Sequence, residues 1–317
     1  MTTPTPNTGA SGGAASALLQ LSNDLAGATE RAGQSIVTVN ARQRLPSTGV
    51  YWRAGVVVTA EHTVERDDDI TVTLPDGQSV KATLAGRDPT TDIAVLKVDG
   101  VTLPEAPLGD TNNVKVGHLV LAVGRPGEDG LSASMGAVSA AGGEFRTRQG
   151  GVIDRLIRPD LTMYPGFSGG PLVDAQGNVV GITTSHLVRS FNLAIPVSTV
   201  NRIVDQLLTK GRIVQGYLGI GFQPVRLPDT TKTALNIQQD TGLIVFSVET
   251  GGPAAQSGAQ IGDILLALDD TAVTDIHEIQ GLLGPDRVGK PIQAHIIRGG
   301  SRTTLTITVG ERPQRER

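Results

Sequence analysis

The sequence predicts a mainly β chain of two successive domains. Short runs of Val, Ile and Leu recur between turn residues, and one helical segment near residue 200 separates two such series. The 317 residues include 40 glycines and 18 prolines, well above the usual ~12 per cent for that pair and suited to many short strands joined by turns. Only five Phe, three Tyr and one Trp occur, so the cores must be built from Val, Ile, Leu and Ala. The length is sufficient for two such cores.

Residues 1–13 are rich in Thr, Pro, Gly and Ser, a composition expected to be disordered. Residues 14–21 are mildly apolar and helical, but the stretch is short and lacks a basic flank. It reads as neither signal peptide nor membrane span. As written the chain is therefore expected in the cytoplasm, or outside it if a leader precedes this sequence. Residues 55–62 read as a buried strand ending at His62, and Asp92 stands just before the apolar strand 93–96. Further strands are expected at 117–124, 179–184 and 191–196. Ser198–Leu208 reads as a helix, with Ser198 as N-cap, apolar residues at 200, 203, 204, 207 and 208, and Gly211 as its stop. A linker over 209–215 follows. The second series comprises strands near 216–222, 242–248 and 262–268, a short helix near 276–283, and two strands through Val309.

Chemistry concentrates at Gly166-Phe167-Ser168-Gly169-Gly170-Pro171-Leu172. Glycines on both sides of Ser168 suit a sharp backbone turn, in which amide N–H groups converge beside the hydroxyl and could hold an oxyanion. The same stretch also suits a plain tight turn between strands. A serine hydroxyl is a weak nucleophile until a base takes its proton. Among five histidines, His62 has the right surroundings, at the end of a buried strand rigid enough to hold an imidazole, and Asp92 is placed to fix its tautomer. The order His, Asp, Ser is that of the chymotrypsin-type triad. With no cysteine and no paired His or carboxylate spacing, no metal site and no cofactor are expected. The net charge of −4 is spread out, and no basic patch points to nucleic acid.

Thr59-Ala60-x-His62, Asp92-Ile93-Ala94-Val95-Leu96 and Gly166-x-Ser168-Gly169-Gly170-Pro171-Leu172 resemble the trypsin-like serine proteases, and more narrowly the HtrA/DegP family. Residues 117–127 and Phe191-Asn192-Leu193-Ala194-Ile195-Pro196 match further family segments. The resemblance implies a trypsin-like double six-stranded β-barrel over residues 14–208. It assigns His62, Asp92 and Ser168 to catalysis and the N–H groups of Gly166, Phe167 and Ser168 to the oxyanion hole. Loops 160–167 and 185–191 should surround the substrate pocket, with Tyr164, Ser185, His186 and Phe191 as lining residues. Phe167 departs from the small polar residue usual there, and its ring is expected to crowd the leaving-group side. His118 replaces a common acidic residue.

Residues 216–311 resemble the PDZ domain of the same proteases, an α+β, partly open β-barrel, with a tail over 312–317. Tyr217-Leu218-Gly219-Ile220 matches the loop that captures a peptide's C-terminal carboxylate while the peptide adds a strand to the sheet edge. Ile220, Phe222, Ile279 and Leu283 would line the side-chain pocket or simply belong to the core. Peptide binding there is expected to adjust the protease through the linker and loop 140–151, where Glu144, Arg146 and Arg148 resemble a regulatory contact loop by position. The resemblance also implies unfolded or damaged polypeptide substrates and a homo-oligomer. A trimer comes first, although no aromatic precedes Tyr51 to hold it in the usual way. The alternative from another class is a catalytically silent peptide-binding or chaperone-like homologue, since PDZ folds and protease folds are both reused without turnover.

Overall fold

β-branched residues with apolar neighbours in runs of four to seven suit strands buried on both faces or closed on themselves. The computed structural model describes residues 11–127, 130–147, 150–188 and 190–312. It divides into two compact units, Met1–Arg212 and Ile213–Arg317.

In the first unit α1 (Ser11–Gly33) leads into β1 (Ile36–Asn40), β2 (Ser47–Arg53), β3 (Val56–Ala60), β4 (Ile70–Thr73), β5 (Ser79–Asp88) and β6 (Ile93–Lys97). These six strands close into a barrel in the order β1-β2-β3-β6-β5-β4. Its core is Val37, Val39, Val57, Ile70, Val72, Ala94 and Leu96, with Tyr51 as the aromatic. A second closed barrel follows. It uses β7 (Leu119–Gly124), β8 (Ser132–Ala141), then β11 (Ile157–Asp160), β12 (Pro171–Asp174), β13 (Val179–Thr184) and β14 (Leu193–Pro196), in the order β11-β14-β13-β12-β7-β8. Between β8 and β11, β9 (Phe145–Arg146) and β10 (Val152–Ile153) form a separate two-stranded hairpin. Closure leaves no free edges in either barrel. The two six-stranded barrels expected from the sequence are both present.

Two local expectations are corrected. α1 begins at Ser11, inside the stretch expected to be disordered, and runs to Gly33, well beyond the expected helical residues 14–21; no proline interrupts it. α2 (Val197–Lys210) is preceded by Pro196 rather than capped by Ser198, which lies inside its first turn. Pro196 takes the extended backbone of an N-cap residue, with φ −64° and ψ 152°, and supplies no side-chain cap. The stop is as expected: Gly211 takes φ +69° and its N–H bonds the Leu207 carbonyl. The buried face of α2 is Val197, Val200, Ile203, Val204 and Leu207.

The second unit begins with β15 (Gly216–Tyr217) and β16 (Ile220–Arg226). A helix not foreseen in the sequence, α3 (Asp229–Leu235), precedes β17 (Thr241–Val248), α4 (Pro253–Gln256), β18 (Ile264–Leu268), β19 (Thr271–Ala272) and α5 (Ile276–Leu282). β20 (Pro291–Arg298), β21 (Ser301–Thr308) and β22 (Gly310–Glu311) complete it. The main sheet runs β16-β17-β18-β20-β21, with β19 on β18, and β15 pairs β22. β16 is therefore an edge strand. Ile279 and Leu283 are core residues against which Ile220 and Phe222 pack from one side.

One buried ion pair braces this sheet. Asp263, whose side chain is 2% exposed, takes both Nε and Nη2 of Arg298 at 2.7 and 2.6 Å, and the Gln260 N–H at 2.8 Å. Burial pushes its carboxyl up, but the Arg298 and Gln260 bonds outweigh burial and hold it below the usual carboxylate range. A lowered folded-state value means the stabilisation is present above the unfolded value near ~3.9 and is lost as pH falls through the folded value. Asp263→Ala should therefore cost this unit about 2 kcal/mol at about pH 7, the scale of hydrogen bonds to a charged group. By calorimetry the gap from wild type should shrink on acidification to about pH 2. An equal gap at both pH values contradicts the assignment.

Candidate active site

His62, Asp92 and the Ser168 turn come from three separated parts of the first unit, and strand pairing brings them together. β3 and β6 are neighbours, with Ala60 opposite Ile93, so the residues just beyond β3 and just before β6 meet. His62 lies in the single 3-10 turn that follows β3. Asp92 is fully buried and has φ +59°, a left-handed conformation that aspartate tolerates better than most residues. Its carbonyl accepts the Glu61 N–H at 3.1 Å.

A buried carboxylate needs donors, and Asp92 has three. The His62 backbone N–H donates to Oδ1 at 2.9 Å. The His62 ring places Nδ1 2.8 Å from Oδ2 and 3.0 Å from Oδ1, and because the carboxylate only accepts, Nδ1 carries the hydrogen. The third donor is the Thr184 hydroxyl at the end of β13, bonded to Oδ2. Sequence reading missed Thr184. Its only signal was its position, last in an apolar strand two residues before His186.

The Ser168 turn is held on glycine. Gly166 and Gly169 have φ of +85° and +87°. A Cβ on Gly169 would lie 2.3 Å from the Thr48 carbonyl and the Thr59 hydroxyl and 2.7 Å from the Ala60 N, so the turn is pressed against the end of β3, two residues from His62. The Thr48 hydroxyl donates to the Gly166 carbonyl at 2.8 Å, and the Gly169 N–H to the Thr183 carbonyl at 3.0 Å.

Two expectations about Phe167 are corrected. Its N–H donates to the Tyr164 carbonyl at 3.0 Å and so is withdrawn from any oxyanion site. The N–H groups of Gly166 and Ser168 have no acceptor among the described residues, which reduces the expected three donors to two. The Phe167 ring does not crowd the leaving-group side either. It is 1% exposed, packs in the second barrel core with Val120, Ala122, Val138 and Leu172, and lies against Gly124, where a Cβ would sit 2.6 Å from it.

The four expected pocket residues divide. Ser185 Oγ is 3.3 Å from Ser168 Oγ, the one hydrogen bond of that hydroxyl among the described residues. The His186 ring stacks on His62 with centroids 4.9 Å apart and planes 14° apart. Tyr164 is half exposed and meets Phe167 edge-on at 5.3 Å. Phe191 instead carries the Arg158 guanidinium 4.6 Å over its ring. Of the loop residues named from the sequence, Glu144 pairs Arg146 at 3.0 Å, while Arg148 lies outside the described residues. Among the described residues no cluster of His, Asp or Glu could hold a metal ion.

In the second unit the Leu218 and Gly219 carbonyls accept the Ala254 and Glu249 N–H groups at 2.9 and 2.8 Å. The loop is thereby fastened through its carbonyls, and the Leu218 and Gly219 N–H groups have no acceptor among the described residues. Gly219 has φ +75°. It precedes the edge strand β16, whose outer side no other strand covers among the described residues.

Known proteins agree with this arrangement. Residues 47–182 match the trypsin-like peptidase domain model and residues 216–309 the PDZ domain model. "Probable periplasmic serine endoprotease DegP-like" of Pseudomonas putida is 36% identical over 276 residues, and its namesake in Halomonas elongata is 34% identical over 283. These alignments take in 86 and 87% of this chain but 57 and 58% of the relatives, so the chain spans little over half their length. The solved HtrA-type protease AlgW with tripeptide superposes with a TM-score of 0.73 at 31% identity, covering 92% of this chain and 98% of that one. The serine endoprotease from Yersinia pestis gives 0.73 at 29%, covering 92% and 98%. A barrel pair carrying the His62, Asp92 and Ser168 segments, followed by one PDZ domain, thus belongs to the HtrA family of trypsin-like serine proteases.

Proposed function

We propose that this chain is a serine endopeptidase acting on unfolded or damaged polypeptides, and that its PDZ domain captures peptide C-termini and adjusts the protease. Residues 14–208 are the protease domain in this reading, 209–215 the linker and 216–311 the PDZ domain. The helical residues Ser11–Gly13 join the first of these. The observation that carries the proposal is the buried Asp92 carboxylate on His62 Nδ1. With that nitrogen committed as a donor, Nε2 is left as the basic atom.

The chemistry follows from the atoms. Ser168 Oγ attacks the scissile carbonyl carbon as its proton passes to His62 Nε2. The carbonyl oxygen becomes an oxyanion facing the Gly166 and Ser168 N–H groups. The imidazolium, stabilised by Asp92, returns the proton to the leaving amine as the C–N bond breaks. Water then repeats the sequence to free Ser168. The Ser168 hydroxyl rests on Ser185, so it must turn toward His62 when substrate arrives. Such hydrogen bonds are commonly loose before substrate binds.

A peptide carboxylate would sit on the Leu218 and Gly219 N–H groups while the peptide backbone extends along β16. The relatives' name places them in the periplasm, and an extracytoplasmic site of action is part of the proposal. No helix among the described residues is long and apolar enough to cross a membrane. The homo-trimer implied by the family resemblance also belongs to this reading.

Ser168→Ala should reduce cleavage of an unfolded protein by roughly 10⁴–10⁶ in rate without changing the thermal transition. Activity within about tenfold of wild type rejects the assignment of the nucleophile. For the PDZ loop, Gly219→Val forces a β-branched residue to positive φ. A C-terminal peptide should raise turnover in wild type and have no effect in the variant. Equal stimulation by a peptide amide, which lacks the carboxylate, rejects the proposed capture. In sedimentation equilibrium the wild-type chain should run as a trimer, and a monomer at all concentrations contradicts that part.

A further inference from the structure

Asp92 holds a left-handed backbone conformation in a fully buried position. An unusual conformation of this kind persists only where the surroundings over-determine it. On one side the turn is closed by Asp88, itself 1% exposed. Its carboxylate accepts the Thr90 N–H at 3.0 Å, the Thr90 hydroxyl at 2.7 Å and the Thr91 hydroxyl at 2.6 Å. Burial pushes this carboxyl up from its ordinary range, and the hydrogen bonds from Thr91 and Thr90 work against burial. Asp88 thereby ties down both residues that precede Asp92.

The other side of the turn is closed by the β9–β10 hairpin, which belongs to neither barrel. The Thr147 hydroxyl, from the segment that follows β9, donates to the Thr90 carbonyl at 2.8 Å. The same oxygen accepts the Gly151 N–H at 2.9 Å, and the Thr147 N–H donates to the Gly151 carbonyl at 2.9 Å. The Gly151 position is in direct contact with the turn, since a Cβ there would lie 2.3 Å from the Thr90 carbonyl oxygen. The base of the hairpin is anchored to α2. The Asp154 N–H donates to the Thr199 hydroxyl at 2.9 Å, and Arg202 donates to the Val152 carbonyl at 2.6 Å.

We propose that Thr147 is a positioning residue for Asp92. By docking on the Thr90 carbonyl, the hairpin holds the turn that aims the Asp92 carboxylate at His62. The catalytic part of this inference rests on the proposed Ser168–His62–Asp92 protease, whereas the geometric part concerns only the His62–Asp92 hydrogen bond. Thr147 touches neither residue, and its hydroxyl acts through one carbonyl two positions from Asp92. Displacements well below an ångström change the angle of a charge-assisted hydrogen bond, and a misplacement of about 1 Å costs on the order of a hundredfold in rate.

The test compares Thr147→Val, which removes the hydroxyl at nearly constant shape, with Thr147→Ser, which keeps it, in the full chain. Three quantities are read: kcat and KM on an unfolded protein, the thermal transition, and the downfield proton resonance of His62 Nδ1–H. In Thr147→Val, kcat should fall roughly 10- to 100-fold with KM within about twofold, and the resonance should shift or broaden. Thr147→Ser should restore kcat to within about twofold and return the resonance to its wild-type position. An unmoved resonance in a folded Thr147→Val overturns the proposal whatever happens to activity, because the loss would then be only structural. Should Thr147→Val not fold, Thr147→Ala is judged by the same resonance. Failure of the protease reading is separately visible as undiminished cleavage by Ser168→Ala.

Discussion

A single buried carboxylate organises the first unit. Asp92 has no contact with solvent, so each of its oxygens must find donors within the protein. The donors come from a turn after β3, from the same turn's histidine ring, and from the end of β13. Strands of both barrels therefore have to end within a few ångströms of one carboxyl group. Removing any one donor would leave a buried acceptor short, so the requirement fixes register at the ends of β3, β6 and β13 together. The position of the His62 ring follows from this arrangement.

The nucleophile turn solves a different problem, that of holding a sharp, buried bend rigidly. Gly169 fits against Thr48, Thr59 and Ala60 with no space for a side chain, and the Phe167 ring drives the middle of the bend into the second barrel core. Phe167 therefore works as an anchor. Its N–H closes the bend on Tyr164, while the N–H groups on either side have no acceptor among the described residues. Ser168 thus follows an apolar anchor, with its own N–H and that of Gly166 lacking an acceptor among the described residues. The second unit shows the same division at Leu218 and Gly219, whose carbonyls are fastened and whose N–H groups have no acceptor among the described residues. Anion binding by successive backbone N–H groups needs that division of labour.

Much of this was legible in the sequence, because the signals were local. The Gly-x-Ser-Gly-Gly bend, the strand that ends two residues before His62 rather than at it, the Asp92 before an apolar strand and the glycine stop of α2 each depend on a few adjacent residues. The two barrels followed from the strand runs once the family resemblance was read. What escaped depends on long-range contact. Thr184 is chemically ordinary until β13 places its hydroxyl on Asp92, 92 residues away. Phe167 was misread because a large ring beside a reactive serine suggests crowding, and only the barrel interior shows where it fits. Thr147 and Thr90 are 57 residues apart, and nothing near either marks them as partners. α1 was cut short at both ends, its Gly- and Ser-containing start read as disorder and residues 22–33 not read as helix, and α3 was missed because its seven residues carry no buried face.

The central claim is that Ser168 is a nucleophile whose base is oriented by Asp92. The most direct measurement is mass mapping of the adduct formed with a fluorophosphonate probe, on wild type and on Asp92→Asn. The account predicts one adduct in wild type, on the peptide containing Ser168, formed at least about a hundredfold more slowly in Asp92→Asn. Absence of any adduct, an adduct on the neighbouring Ser185 in place of Ser168, or an undiminished rate in Asp92→Asn would contradict it.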